Sequence, residues 1–117
     1  QTIGHYNLDL SKTKIDFITC SAHKFHGPKG VGFIYVKNGT NLVPLIEGGS
    51  QERGLRGGTE SIHNIAGLKK AFESSYESIE KDSKNVLQIK EHFISSIKKS
   101  IPNSKINGNF SKNYFYL

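Results

Sequence analysis

Within the stretch SAHKFHGPKG, residues 21 to 30, Ser21, His23, Lys24, His26 and Lys29 stand close together among glycine and proline. A lysine amine is nucleophilic only when uncharged, and a partly desolvated pocket favours that form. Such an amine can condense with a carbonyl to give a Schiff base. Pyridoxal phosphate is the common cofactor that uses a lysine in this way. Its phosphate needs hydrogen-bond donors, and Ser21 and His23, two apart, can point to one side of an extended backbone. Lysine is also mostly a surface residue, so the residue types alone leave a second reading open. In that reading Lys24 and Lys29 are solvent-facing and His23 and His26 belong to a basic loop.

A second stretch, EGGSQERGLRGGTE from Glu47 to Glu60, holds five glycines and two arginines with few apolar residues. A loop is the only comfortable assignment. Its backbone amides can face an anion, with Arg53, Arg56 and Thr59 as further donors, but a mobile surface loop fits equally well. It lacks the lysine and spacing of a nucleotide-binding P-loop. Cys20 follows an apolar run and reads as an inert buried thiol rather than a nucleophile. No metal ligands are assigned.

The elements that must position these residues follow from pattern. Asp16 to Cys20 is predicted to form a short buried strand and Val31 to Val36 a second, both rich in β-branched and aromatic residues. Ten residues, 21 to 30, separate them, too many for a two-residue hairpin turn. Lys37 to Thr40 marks a turn. Thr59 or Ser61 can cap the helix that follows, with Glu60 near its positive end. Apolar residues from Ile62 to Ile101 recur mostly at three- and four-residue steps, which predicts an amphipathic helix ended by Pro102. A helix of roughly 40 residues would run about 60 Å, long for a small domain, so a break is expected near Asp82 and Ser83. Asn107-Gly108 predicts a turn and Tyr114 to Leu117 the start of another strand.

The chain has 117 residues and a formal net charge of +6. Lys69, Lys70, Lys81, Lys84, Lys90, Lys98 and Lys99 are interspersed with Glu73, Glu77, Glu80, Asp82 and Glu91, the pattern of a solvated helix face rather than a nucleic-acid stripe. The single cysteine cannot form an internal disulfide, and no apolar run of about 18 residues is present to span a membrane. A reducing, cytoplasmic setting with no nucleic-acid or membrane partner is expected. The chain opens at Gln1, contains no methionine and closes on the apolar run from Asn113 to Leu117, so a segment of a longer protein is expected.

SAHKFHGPKG followed by GGSQERGLRGGTE resembles the cysteine desulfurases, pyridoxal-phosphate enzymes of the class V aminotransferase group. The resemblance implies an α/β fold of the aspartate-aminotransferase type, built on a mainly parallel sheet. Residues 1–60 would be the C-terminal part of the large cofactor domain, and residues 61–117 the connecting helix and the start of the small domain. It implies that Lys24 anchors the cofactor and serves in proton transfer, and that Ser21 and His23 donate to its phosphate. Gln1 would bond the cofactor's ring hydroxyl, as the last residue of a D-x-x-Q motif. Thr59, the threonine of an R-[SA]-G-T motif, would reach the phosphate of the neighbouring subunit's cofactor in a homodimer. The implied reaction converts L-cysteine to L-alanine, leaving a persulfide that passes to a scaffold or carrier protein for iron–sulfur cluster assembly.

Two positions depart from the family pattern: Gly57 stands where serine or alanine is common, and Ser50 where a third glycine is common. The aspartate that pairs with the cofactor nitrogen, the stacking histidine, the substrate-binding arginine and the mobile catalytic cysteine would fall outside these 117 residues, so this chain alone is not expected to be a complete catalyst. Other readings are a different enzyme of the same group, such as an aminotransferase or selenocysteine lyase, or a non-catalytic binding domain that kept the fold.

Overall fold

The computed structural model describes residues 1–108. The expected strand Tyr114 to Leu117 lies outside the described residues. Strand β1, Phe17–Ser21, pairs antiparallel with β2, Gly32–Val36, in a register that sets Phe17 against Val36, Cys20 against Phe33 and Ser21 against Gly32. Both strands start one residue later than the sequence predicts. Antiparallel neighbours can be joined by a short connection, whereas a parallel pair needs a longer crossover. The mainly parallel sheet expected of a whole cofactor domain is therefore not represented by this pair.

Period-two alternation decides which side chains are covered. Ile18, Cys20 and Phe33 face the core, while Phe17 and Ile34 remain 44% and 49% exposed. Among the described residues, one face of the pair is covered. The cover is the N-terminal part of helix α1, Ile62–Ser100, whose Leu68, Ala71, Phe72 and Tyr76 follow three- and four-residue steps onto the core. Phe72 lies edge-on to Phe25 at 6.0 Å and to Phe33 at 6.3 Å, and packs against Tyr76 at 4.7 Å. Aromatic pairs of this kind contribute about 0.5–1.5 kcal/mol beyond the area they bury.

No break occurs near Asp82. The helix continues for 39 residues, about 58 Å at 1.5 Å per residue, and sets the long dimension of the molecule, 61 Å. Two physical reasons account for this. No glycine or proline lies between Leu68 and Ser100, and at the expected break the Ser78 hydroxyl donates to the Asp82 carboxylate at 2.6 Å, an i,i+4 contact that follows the helix. The length objection assumes that a helix must stay within its own domain, and this one projects past the sheet.

Ser61 takes the N-cap position, but its hydroxyl does not cap the backbone and instead accepts from the Asn64 side chain at 3.1 Å. Ile101 leaves helical geometry before Pro102, as expected. Lys90 departs from the solvated face predicted for the helix lysines: it is buried. No helix among the described residues is long and apolar enough to cross a membrane.

Candidate functional site

At the end of β1 the chain turns sharply. Ser21 is still extended, at φ −115° and ψ 127°, and Ala22–Phe25 forms a single 3-10 turn closed by His26 in the left-handed region. The sequence places Ser21 and His23 on one extended strand; in the structure the alternation stops at Ser21, because the turn starts at the next residue. Two of the turn's residues are anchors, with Ala22 fully buried and Phe25 only 1% exposed. The Ala22 N–H donates to Val31 O at 3.0 Å, and Ala22 O accepts from Gly27 at 2.9 Å. Gly27 must lack a side chain, since a Cβ there would come within 2.8 Å of the Ala22 Cβ. Pro28, just beyond, rests against α1 at Gly67, where a Cβ would lie 2.7 Å from the proline ring.

With the backbone pinned from below, Ser21, His23 and Lys24 are all exposed at the top of the turn. Among the described residues none of the three side chains is taken up by an internal hydrogen bond or ion pair. A hydroxyl, an imidazole and a primary amine on one fixed turn suit a phosphate-bearing carbonyl ligand, because the first two supply donors and the third a nucleophile. This donor set fits pyridoxal phosphate. The desolvation that the sequence reading asks of Lys24 is not provided by the described residues, among which its side chain stays in the open.

Gln1 is exposed just ahead of the turn at residues 3–5, whose last residue, His5, bonds the backbone carbonyl of Lys24 at 3.0 Å through Nε2. The sequence reading missed His5. Its only local signal is the neighbouring Gly4, whereas its partner lies 19 residues away. Thr59 is exposed at the end of the glycine-rich loop, and no hydrogen bond described here joins that loop to the Ser21–Lys24 turn. The bonds that close the loop are local. Gly57 N–H reaches Ile46 O at 2.9 Å, Gly58 N–H reaches the Gln51 side chain at 3.2 Å, and Arg56 bonds Gly58 O at 3.1 Å. A Cβ on Gly57, one of the two positions that depart from the family pattern, would come within 2.9 Å of Glu47 O, so a side chain there would crowd the loop's own backbone.

Cys20 is buried, and burial pushes its thiol above the ordinary value, as suits an inert structural cysteine. No cluster of metal-ligating side chains is present among the described residues. A groove of about 320 Å³ runs between Gly4–His5, Phe25–His26 and the middle of α1. Ser21, His23 and Lys24 line neither it nor the neighbouring groove beside Lys70 and Ser74.

Comparison with known proteins extends these observations. The family model for aminotransferase class-V matches residues 1–113. A cysteine desulfurase IscS of Clostridium botulinum (strain Hall) is 44% identical over 108 residues, covering 92% of this chain and 27% of the relative. A cysteine desulfurase of Bradyrhizobium diazoefficiens is 55% identical over 80 residues, 68% of this chain and 20% of that protein. Among solved structures, a NifS-like protein superposes with a TM-score of 0.80 at 41% identity, over 85% of this chain and 27% of that one. A NifS-like protein from Rickettsia africae gives 0.80 at 29% identity, over 86% and 28%. The chain thus spans about a quarter of the length of these relatives. The expected α/β architecture, part of an aspartate-aminotransferase-like fold, is borne out.

Proposed function

The chain belongs to the aminotransferase class-V family, and from that premise we propose that it is the lysine-bearing segment of a pyridoxal-phosphate-dependent cysteine desulfurase. The whole protein would convert L-cysteine to L-alanine and hand the sulfur, as a persulfide, to a scaffold or carrier protein for iron–sulfur cluster assembly in the cytoplasm. The observation that carries this reading is the turn at the end of β1, where Ser21, His23 and Lys24 stand exposed and unengaged on a backbone anchored by Ala22 and Phe25. Relatives named cysteine desulfurase direct it to that substrate.

When bound, pyridoxal phosphate supplies an electron sink for the substrate's α-carbon. In this proposal the Lys24 amine would hold the cofactor and, when free, would hold and move a proton at Nζ. The Ser21 hydroxyl and the His23 ring donate to the phosphate, and the Gln1 amide to the ring hydroxyl. Thr59 donates to the phosphate held by the neighbouring subunit of a homodimer. Residues 1–60 would belong to the large cofactor domain, and residues 61–117 to the connecting helix and the small domain. The elongated α1, packed on the sheet at one end only, supports that division.

Borohydride reduction of the full-length protein loaded with pyridoxal phosphate, followed by peptide mass mapping, tests the reading. Label confined to Lys24, together with alanine release from L-cysteine, is the expected result. Label spread over many lysines would overturn the cofactor site. Label at Lys24 without alanine release would move the protein to another reaction of the same group.

A further inference from the structure

A single 3-10 turn makes few bonds of its own, so the carbonyls of its last residues need partners from elsewhere. Here two successive ones are engaged from different parts of the molecule. Lys24 O meets His5 Nε2 at 3.0 Å, and Phe25 O meets the Ser75 hydroxyl of α1 at 3.4 Å, a longer contact from a group that also donates to Ala71 O at 2.7 Å. A carbonyl oxygen can only accept, so His5 must carry a proton on Nε2, which fixes the orientation of the ring.

His5 is itself held. The N–H groups of His5 and Tyr6 both donate to Thr2 O at 3.1 Å, and Ile3 is buried in the core. Gly4 has a φ of +81° and lies so close to the lysine turn that a Cβ would come within 2.7 Å of the Phe25 Cβ and 3.2 Å of the Ser75 Cβ. The segment from Thr2 to Tyr6 is therefore wedged against both the lysine turn and α1, and His5 is its one side chain shown bonding a backbone atom of Lys24.

We infer that His5 is a positioning residue for Lys24: by donating through Nε2 to the lysine's carbonyl, it fixes the turn that presents the amine and ties it to the segment that carries Gln1. The catalytic part of this inference rests on the function proposed above; the clamp itself does not. A lysine side chain has four rotatable carbons, so a fixed Cα is what limits where its amine can reach, and displacements on the order of 1 Å cost reactions dearly. The bond is formed in either charge state of the ring, since both can keep a proton on Nε2.

The test compares His5→Ala and His5→Gln with the parent in the full-length protein, the glutamine amide nitrogen standing in for Nε2. Two readouts are taken: amide hydrogen exchange in peptides covering residues 22–27, and the rate at which added pyridoxal phosphate becomes borohydride-trappable at Lys24. In His5→Ala, exchange is expected to rise about fivefold and trapping to slow by a similar factor, as for loss of one hydrogen bond. kcat should fall with trapping while KM for L-cysteine changes less than about twofold, and His5→Gln should recover most of each loss. Unchanged exchange in His5→Ala, or equal losses in both variants, overturns the clamp. Should the parent protein itself fail to trap the cofactor at Lys24, the functional reading falls and exchange alone decides the clamp. Nitrogen NMR of the histidine rings in the unaltered protein gives a check independent of any variant: a proton on Nδ1 only, with Nε2 bare, overturns it as well.

Discussion

The turn from Ser21 to Gly30 and the loop from Glu47 to Glu60 are alike in sequence and opposite in construction. Both carry glycines and basic side chains, two lysines in the turn and two arginines in the loop. The turn is nailed to the core through Ala22 and Phe25, and its carbonyls are held by groups 19 and 50 residues away. The loop is closed by bonds that span no more than about a dozen residues, and its one buried position is Gly57, which has no side chain to pack. Fixing a reactive side chain requires packing from beneath, whereas a self-closed loop keeps its own shape without being fixed to the body. The lysine and the threonine carried by these two segments thus start from different degrees of order.

The comparison breaks hardest at Phe25. Truncating a fully buried phenylalanine typically costs about 3–5 kcal/mol, and Phe25 also serves Phe72 as an edge-on partner and Gly4 as a floor. Phe25→Ala in the full-length protein should therefore raise native-state amide exchange through β1 and the lysine turn by orders of magnitude. Peptides from the Glu47–Glu60 loop should exchange as in the parent. Equal change in both segments would show that the loop is packed on the same core, and the contrast would fail.

Gly67 sharpens the comparison with a smaller effect and an unusual sign. In an exposed helix interior Gly→Ala ordinarily stabilises by about 1 kcal/mol. Here the added methyl would meet the Pro28 ring at 2.7 Å, and a five-membered ring cannot swing aside as a flexible side chain would. Gly67→Ala is expected to destabilise locally by about 1 kcal/mol net, read as faster exchange around residues 25–30. A stabilised turn would mean that Pro28 is not held against the helix.

How much of this was legible in the sequence depends on how far apart the interacting residues lie. β-Branched and aromatic runs locate β1 and β2, and helical spacing locates α1, to within a residue, because each signal lies within one element. The family motifs pick out Lys24, Ser21 and His23 because those residues are adjacent. The hydrogen bond from His5 joins residues 19 apart and leaves no periodic trace, so it is visible only in three dimensions. The unbroken helix was missed for a different reason. A limit on helix length applies to elements confined to one domain, and the helix projects beyond the sheet it covers.

Cys20 gives the finest discrimination between the two segments. It lies one residue before the turn, opposite Phe33, and burial raises its pKa by penalising the thiolate, the form that reacts with alkylating agents. A thiol placed by Ser50→Cys, in the exposed loop, carries no such burden. With both cysteines in one full-length protein and alkylation followed by peptide mass mapping near neutral pH, Cys20 should react at least about tenfold more slowly than the cysteine at position 50. Because the folded-state value is raised, the native state favours the protonated thiol; this contribution is present below the ordinary thiol pKa and is lost as pH rises through the folded one. Comparable rates at neutral pH would place Cys20 in a part of the molecule that opens readily. The turn beside it would then be no better fixed than the loop, and the amine of Lys24 would have to be positioned by the cofactor rather than by its own backbone.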